Sequence, residues 1–67
     1  MRNKHQDYLC IAKYRDRNFG VEIHVGDTVS LLQVERWDEF CYALVDGKGL
    51  KNLYIPLEAF IFCFKQE

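Results

Sequence analysis

A chain of 67 residues has material for one core only, so a single domain over 1–67 is expected, fed by 49% hydrophobic and 15% aromatic residues. Nine Lys and Arg stand against ten Asp and Glu, a formal net charge of -1 that excludes the strongly basic character of a general polyanion binder. Three Cys without paired spacing exclude a complete disulfide framework and point to a reduced, cytoplasmic setting, and no apolar run is long or uninterrupted enough for a signal peptide or a membrane span.

Asp7 to Tyr14 (DYLCIAKY) is an apolar run of strand length and reads as strand one. Arg15 to Gly20 is charged and carries an Asn and a Gly, the composition of an exposed loop. Val21-Glu22-Ile23-His24-Val25 alternates apolar and polar residues, and Gly26-Asp27 ends it with a turn signal. Thr28 to Val34 (TVSLLQV) reads as strand two, Glu35 to Glu39 as a charged connection holding the single Trp37, and Phe40 to Val45 as strand three. Asp46-Gly47-Lys48-Gly49 carries the Asp-Gly pair that suits a hairpin turn, so strands three and four (Leu50 to Ile55) are expected to be antiparallel neighbours. Pro56 has no N–H for a ladder and stops that strand. Leu57-Glu58-Ala59 then fits one 3₁₀ turn and Phe60 to Phe64 a last strand, with a continuous helix through LEAFIF as the local rival. Five short strands at close spacing imply an all-β small barrel whose core runs from about 8 to 64.

The order of these fragments resembles the SH3 family over most of the chain. Ala12-Lys13-Tyr14-Arg15-Asp16 is similar to the family's Ala-Leu-Tyr-Asp-Tyr, with Asp16 in place of the second tyrosine. Val21 to Asp27 is similar to its Leu-Ser-Phe segment and the following Gly-Asp of the diverging turn. Phe40-Cys41-Tyr42-Ala43 stands where the family has Trp-Trp-x-Ala, and Tyr54-Ile55-Pro56 matches Tyr-Ile-Pro before the 3₁₀ turn; the Asn and Tyr that follow there fall on Glu58 and Ala59. The resemblance implies a five-stranded SH3-like barrel with a 3₁₀ turn before the last strand. Tudor, chromo-like and OB barrels are the other architectures that fit.

In the family, two shallow grooves lined by tyrosines, a Trp and a Pro pack against polyproline II ligands, whose conformation costs little entropy to fix. By that resemblance the partner-binding residues here are Tyr14, Asp16, Trp37, Phe40, Tyr54 and Pro56. Phe40 stands in for the Trp, or Trp37 does in a shifted alignment, while Asp16 and Ala59 remove two aromatic walls and the loop after Tyr14 is shorter than the family's. The plainer reading is that Phe40 and Tyr54 pack the core. Asp16, Glu22, Asp38 and Glu39 correspond to the loop carboxylates that meet a basic ligand residue in the family; otherwise they are solvated surface.

Cys10, Cys41 and Cys63, with His5 and His24, are the residue types zinc prefers, but no CxxC or HxxxH spacing is present. They read as buried structural thiols, and neither a metal nor a cofactor is expected. The resemblance makes the first and last strands neighbours, bringing Cys10 and Cys63 near each other. Ser30 is the only Ser and has no base in a recognisable motif, and Gly47-Lys48-Gly49 lacks the length and the helix of a phosphate loop. The expected function is therefore a non-enzymatic protein-interaction module that docks a protein or peptide through its loop face. Two alternatives stay open: a proline-rich-peptide-binding SH3 domain, and a nucleic-acid-binding barrel gathering Lys4, Arg15, Arg17, Arg36, Lys48 and Lys51 on one side. A structural role for Phe60 to Phe64 as an oligomer interface is a third.

Overall fold

Turn chemistry and alternating burial set most of the architecture. The computed structural model of the chain describes residues 6–18, 20–47 and 49–67; Lys4, His5 and Lys48, named above for their charge or ligand chemistry, lie outside the described residues. The elements are β1 (Gln6–Cys10), β2 (Tyr14–Asp16), β3 (Val21–Ile23), β4 (Thr28–Trp37), β5 (Phe40–Gly47), β6 (Leu50–Pro56), α1 (Leu57–Cys63) and β7 (Phe64–Gln66). Strands make up 65% of the structure and there is one short helix, so the fold is all-β. One sheet has five strands in the order β6-β5-β4-β1-β7, and β2 and β3 form a second, two-stranded sheet. All pairings are antiparallel, and among the described residues no ladder closes the strands, so the closed five-stranded barrel expected from the sequence is replaced by an open five-stranded sheet and a two-stranded one.

The core is built from Cys10, Tyr14, Ile23, Val29, Ala43, Val45, Leu53, Ile55, Phe60, Cys63 and Phe64. In β5 and β6 the inward residues alternate as the period of a strand requires: Ala43 and Val45, then Leu53 and Ile55. Tyr42, Tyr54 and Pro56 alternate with them and belong to the other face. In β4 the alternation is reversed part-way. Leu31 pairs with Val45, but the next partners are Gln33 and Leu44, so Leu32 is the extra residue of a bulge. Val29 and Leu31 face the core before it. After it Glu35 and Trp37 pair with Tyr42 and Phe40 on the outer face.

Three expectations are corrected. Strand one does not run through to Tyr14: β1 ends at Cys10, where the chain turns to accept and donate backbone bonds with Gly26, Asp27 and Cys63, and Tyr14 begins a separate hairpin with β3. Glu35 to Trp37 is strand, not connection, and only Asp38-Glu39 turns, with Asp38 at φ 59°. Of Phe60 to Phe64 only Phe64 is strand, the first residue of β7. Helix α1 continues through Cys63, burying Phe60 and Cys63 three residues apart and leaving Ile61 and Phe62 exposed. A wholly apolar segment carries no period that separates strand from helix. The burial of Phe60 and Phe64, whose rings stack at 5.1 Å, also takes both from the surface an oligomer would use.

The helix has a further consequence for shape. It joins β6 and β7, the two outer strands of the sheet, yet seven residues rise only about 10 Å, whereas the edges of a flat five-stranded sheet lie roughly 19 Å apart. The sheet therefore curls until its edges approach, with α1 packed on β5, β6 and β7.

Candidate functional site

The outer face of the β4–β5–β6 ladder carries three aromatic rings in contact. Trp37 lies 4.8 Å from Tyr54 and 5.3 Å from Tyr42 between ring centroids, and Tyr42 meets Tyr54 edge-on at 6.4 Å. Their positions follow from register: Glu35 pairs with Tyr42, and Tyr42 with Pro56. Glu35 ties two of the rings by hydrogen bonds. It accepts hydrogen bonds from Trp37 Nε1–H at 3.2 Å, from the Tyr54 hydroxyl at 3.2 and 3.3 Å, and from Gln33 Nε2–H. Bonds to a carboxylate are the strong kind, so two of the three rings are oriented before any partner arrives. Burial, the Glu35 charge and the bond to it together raise the Tyr54 hydroxyl above its ordinary pKa.

Across from these rings stands the loop after β2. Trp37, Tyr42, Tyr54 and Pro56 on one side, with Tyr14 to Asn18 on the other, enclose an open groove of about 560 Å³. Trp37 is 49% exposed in it. A second groove, about 680 Å³, lies toward the helix between Phe40, which is 64% exposed, and Leu57, and is flanked by Glu39 and Glu58. Tyr42 and Pro56 line both. No family model matches the chain, and no curated protein and no solved structure matches it.

Of the residues expected from the sequence, Tyr14, Asp16, Trp37, Tyr54 and Pro56 come together in the first groove, and Phe40 lines the adjoining one. Two of them differ from the expectation in character. Tyr14 is only 8% exposed and belongs to the core, presenting an edge to the groove. Asp16, 6% exposed, is no open carboxylate: its Oδ1 accepts the Asn18 N–H at 2.8 Å and its carbonyl accepts Gly20 N–H at 2.9 Å, so it ties the loop. Phe40 does not pack the core. Sequence reasoning missed Tyr42 and Glu35, and named Arg15 and Arg17 only as members of a basic face; the alternation from Phe40 to Tyr42 was the available signal for the first.

Burial, then the Asp16 carboxylate and the Cys63 thiol, push the Tyr14 hydroxyl up to about 12. The folded state then keeps a proton that the unfolded chain releases near pH 10, so the stabilisation is complete below pH 10 and is lost as pH rises through 12. In an absorbance titration of the folded protein one tyrosine is expected to ionise only near pH 12. Tyr14→Phe should remove that step and flatten the alkaline fall in stability.

The remaining candidates are engaged elsewhere. Glu22 meets Lys13 at 3.4 Å, Arg15 at 3.5 Å and His24 at 3.7 Å on the β2–β3 hairpin. Cys10, Cys41 and Cys63 are free thiols. Burial raises the pKa of Cys10 and Cys63, which donate to the Ala12 and Lys13 carbonyls at 3.2 and 3.8 Å. Cys63 lies in the helix, not in a strand. Among the described residues no three metal-ligating side chains gather. Arg15 and Arg17 flank the groove, whereas Arg36 bonds the Asp38 carbonyl at the β4–β5 turn and Lys51 lies on β6.

Proposed function

We propose that this chain is a small, non-catalytic protein-interaction module on an SH3-like scaffold, docking a segment of a partner protein across its aromatic groove. The observation that carries the reading is Trp37. A large ring left half-exposed, packed on Tyr42 and Tyr54 and bonded to Glu35, offers apolar area that loses little side-chain freedom when a partner covers it. The scaffold reading draws on the hairpin before the Gly26-Asp27 turn, on β1 lying beside β7, and on the curl that brings the outer strands together. The helix over Leu57–Cys63, in place of a 3₁₀ turn, departs from the family pattern.

The reading needs no proline-rich ligand. Asp16 is folded inward and Ala59 packs against the core, so the rings available to a partner are Trp37, Tyr42 and Tyr54, with Phe40 in the adjoining groove, rather than the family's set. Selection of a random dodecamer library displayed on phage against the 67-residue protein tests it. Families of peptides that bind the protein and are lost with Trp37→Ala are expected. Failure to enrich anything beyond an unrelated β domain would overturn the proposal.

A further inference from the structure

The two grooves form one strip, because Tyr42 and Pro56 line both, and the ends of that strip differ in charge. At the loop end stand Arg15 and Arg17, both exposed. Arg15 shares Glu22 at 3.5 Å, while Arg17 has no ion pair among the described residues. Asp16 between them is buried, with its carboxylate bonded to the Asn18 N–H. At the helix end Glu39 and Glu58 are exposed and have no ion pair among the described residues. The loop end thus exposes two arginine side chains, offset in part by the Asp16 and Glu22 carboxylates, where the family resemblance implied carboxylates alone.

Resting on the docking reading above, we propose that the partner segment is extended and charge-polarised: an acidic residue at Arg15 and Arg17, apolar residues over Trp37, Tyr42 and Pro56, and a basic residue between Glu39 and Glu58. Opposite charges at the two ends fix the direction in which the segment lies, since the reversed segment meets like charge at both. A nucleic acid, uniformly anionic, suits only the loop end and is repelled at Glu39 and Glu58. A second copy laid face to face presents the same concave strip and leaves it unfilled, whereas an extended segment enters it.

The test begins with the dodecamers enriched above; extended, twelve residues reach about 40 Å, more than the longest dimension of the domain, 32 Å, so one peptide spans both grooves. The selected sequences are expected to carry Asp or Glu toward one end and Lys or Arg toward the other. A synthetic peptide with those two charges exchanged should bind about tenfold more weakly at low salt, with the difference shrinking as salt is raised. The double variant Arg17→Glu/Glu58→Lys keeps the net charge and should prefer the exchanged peptide, with Glu39→Lys replacing Glu58→Lys if the helix start does not tolerate the change. Peptides that depend on Trp37 yet bind within about twofold after the exchange overturn the polarity while leaving the docking reading intact. Three outcomes overturn both: no peptide that depends on Trp37, a dimer in sedimentation that Trp37→Ala dissolves, or single-stranded DNA retained at low salt and released by Arg17→Glu.

Discussion

Gly47→Ala is expected to lower the stability of the fold by about 3 kcal/mol, a large part of what a domain of this size possesses. Gly47 ends β5 at φ 146°, a backbone conformation that side chains rarely adopt. A Cβ there would stand 2.9 Å from the Thr28 carbonyl oxygen and 3.0 Å from Val29 Cα. Both are backbone atoms at the start of β4, beside the fully buried Val29, and neither can swing aside as a side-chain tip would. Gly49→Ala is the matched control, because Gly49 also has positive φ (76°) but nothing within 4 Å of the added carbon. Its loss should be nearer 1 kcal/mol. In thermal unfolding the Gly47 variant is expected to melt roughly 12 to 24 °C below the parent. Equal losses for the two variants would show that the close approach of β5 to β4 costs nothing.

The second large effect is on binding. Trp37→Ala is expected to weaken the selected peptides by about 2 kcal/mol or more, roughly thirtyfold, as loss of a central aromatic anchor does. Trp37 lies outside the core and its side-chain contacts are the Tyr42 and Tyr54 rings and an exposed bond to Glu35, so the fold should lose only about 1 kcal/mol. Circular dichroism and calorimetric titration separate the two effects. Trp37→Phe keeps a ring over Tyr54 but gives up the N–H bond to Glu35 and should fall between. Because Trp37 is the only Trp in the chain, its emission reports the groove directly, and a bound peptide is expected to shift it to the blue. Unchanged peptide affinity in Trp37→Ala would place the contact elsewhere.

Legibility differed along the chain for identifiable reasons. The β5–β6 hairpin was readable from the Gly-rich stretch 46–49, but the turn falls one step later than the Asp-Gly pair suggested: Gly47 pairs with Leu50, so Asp46 and Gly47 end β5. The β4–β5 turn was not, since Asp38-Glu39 has no Gly and the strands beside it extend beyond the core, where charged residues such as Glu35 and Arg36 leave no burial pattern. Helix α1 stayed a rival to a strand because everything after Glu58 in LEAFIFC is apolar and carries no period. Tyr14 and Asp16 line the groove but are buried there, Tyr14 in the core and Asp16 with its carboxylate bonded to the Asn18 N–H, a matter of packing that composition does not mark.

What the sequence determined by itself is the all-β class, the antiparallel strands over 40–45 and 50–55, and the turn signals at Gly26-Asp27 and within 46–49, all set by residues adjacent in the chain. Tertiary structure alone decided that Trp37, Tyr42 and Tyr54 meet, and that Arg17 and Glu58 stand at opposite ends of one strip. Contact between strands depends on register, and here the register changes phase at Leu32, turning Glu35 and Trp37 to the outer face. A single inserted residue leaves no compositional mark, and the curl that carries α1 beside the second groove belongs to the whole sheet rather than to any one segment of it.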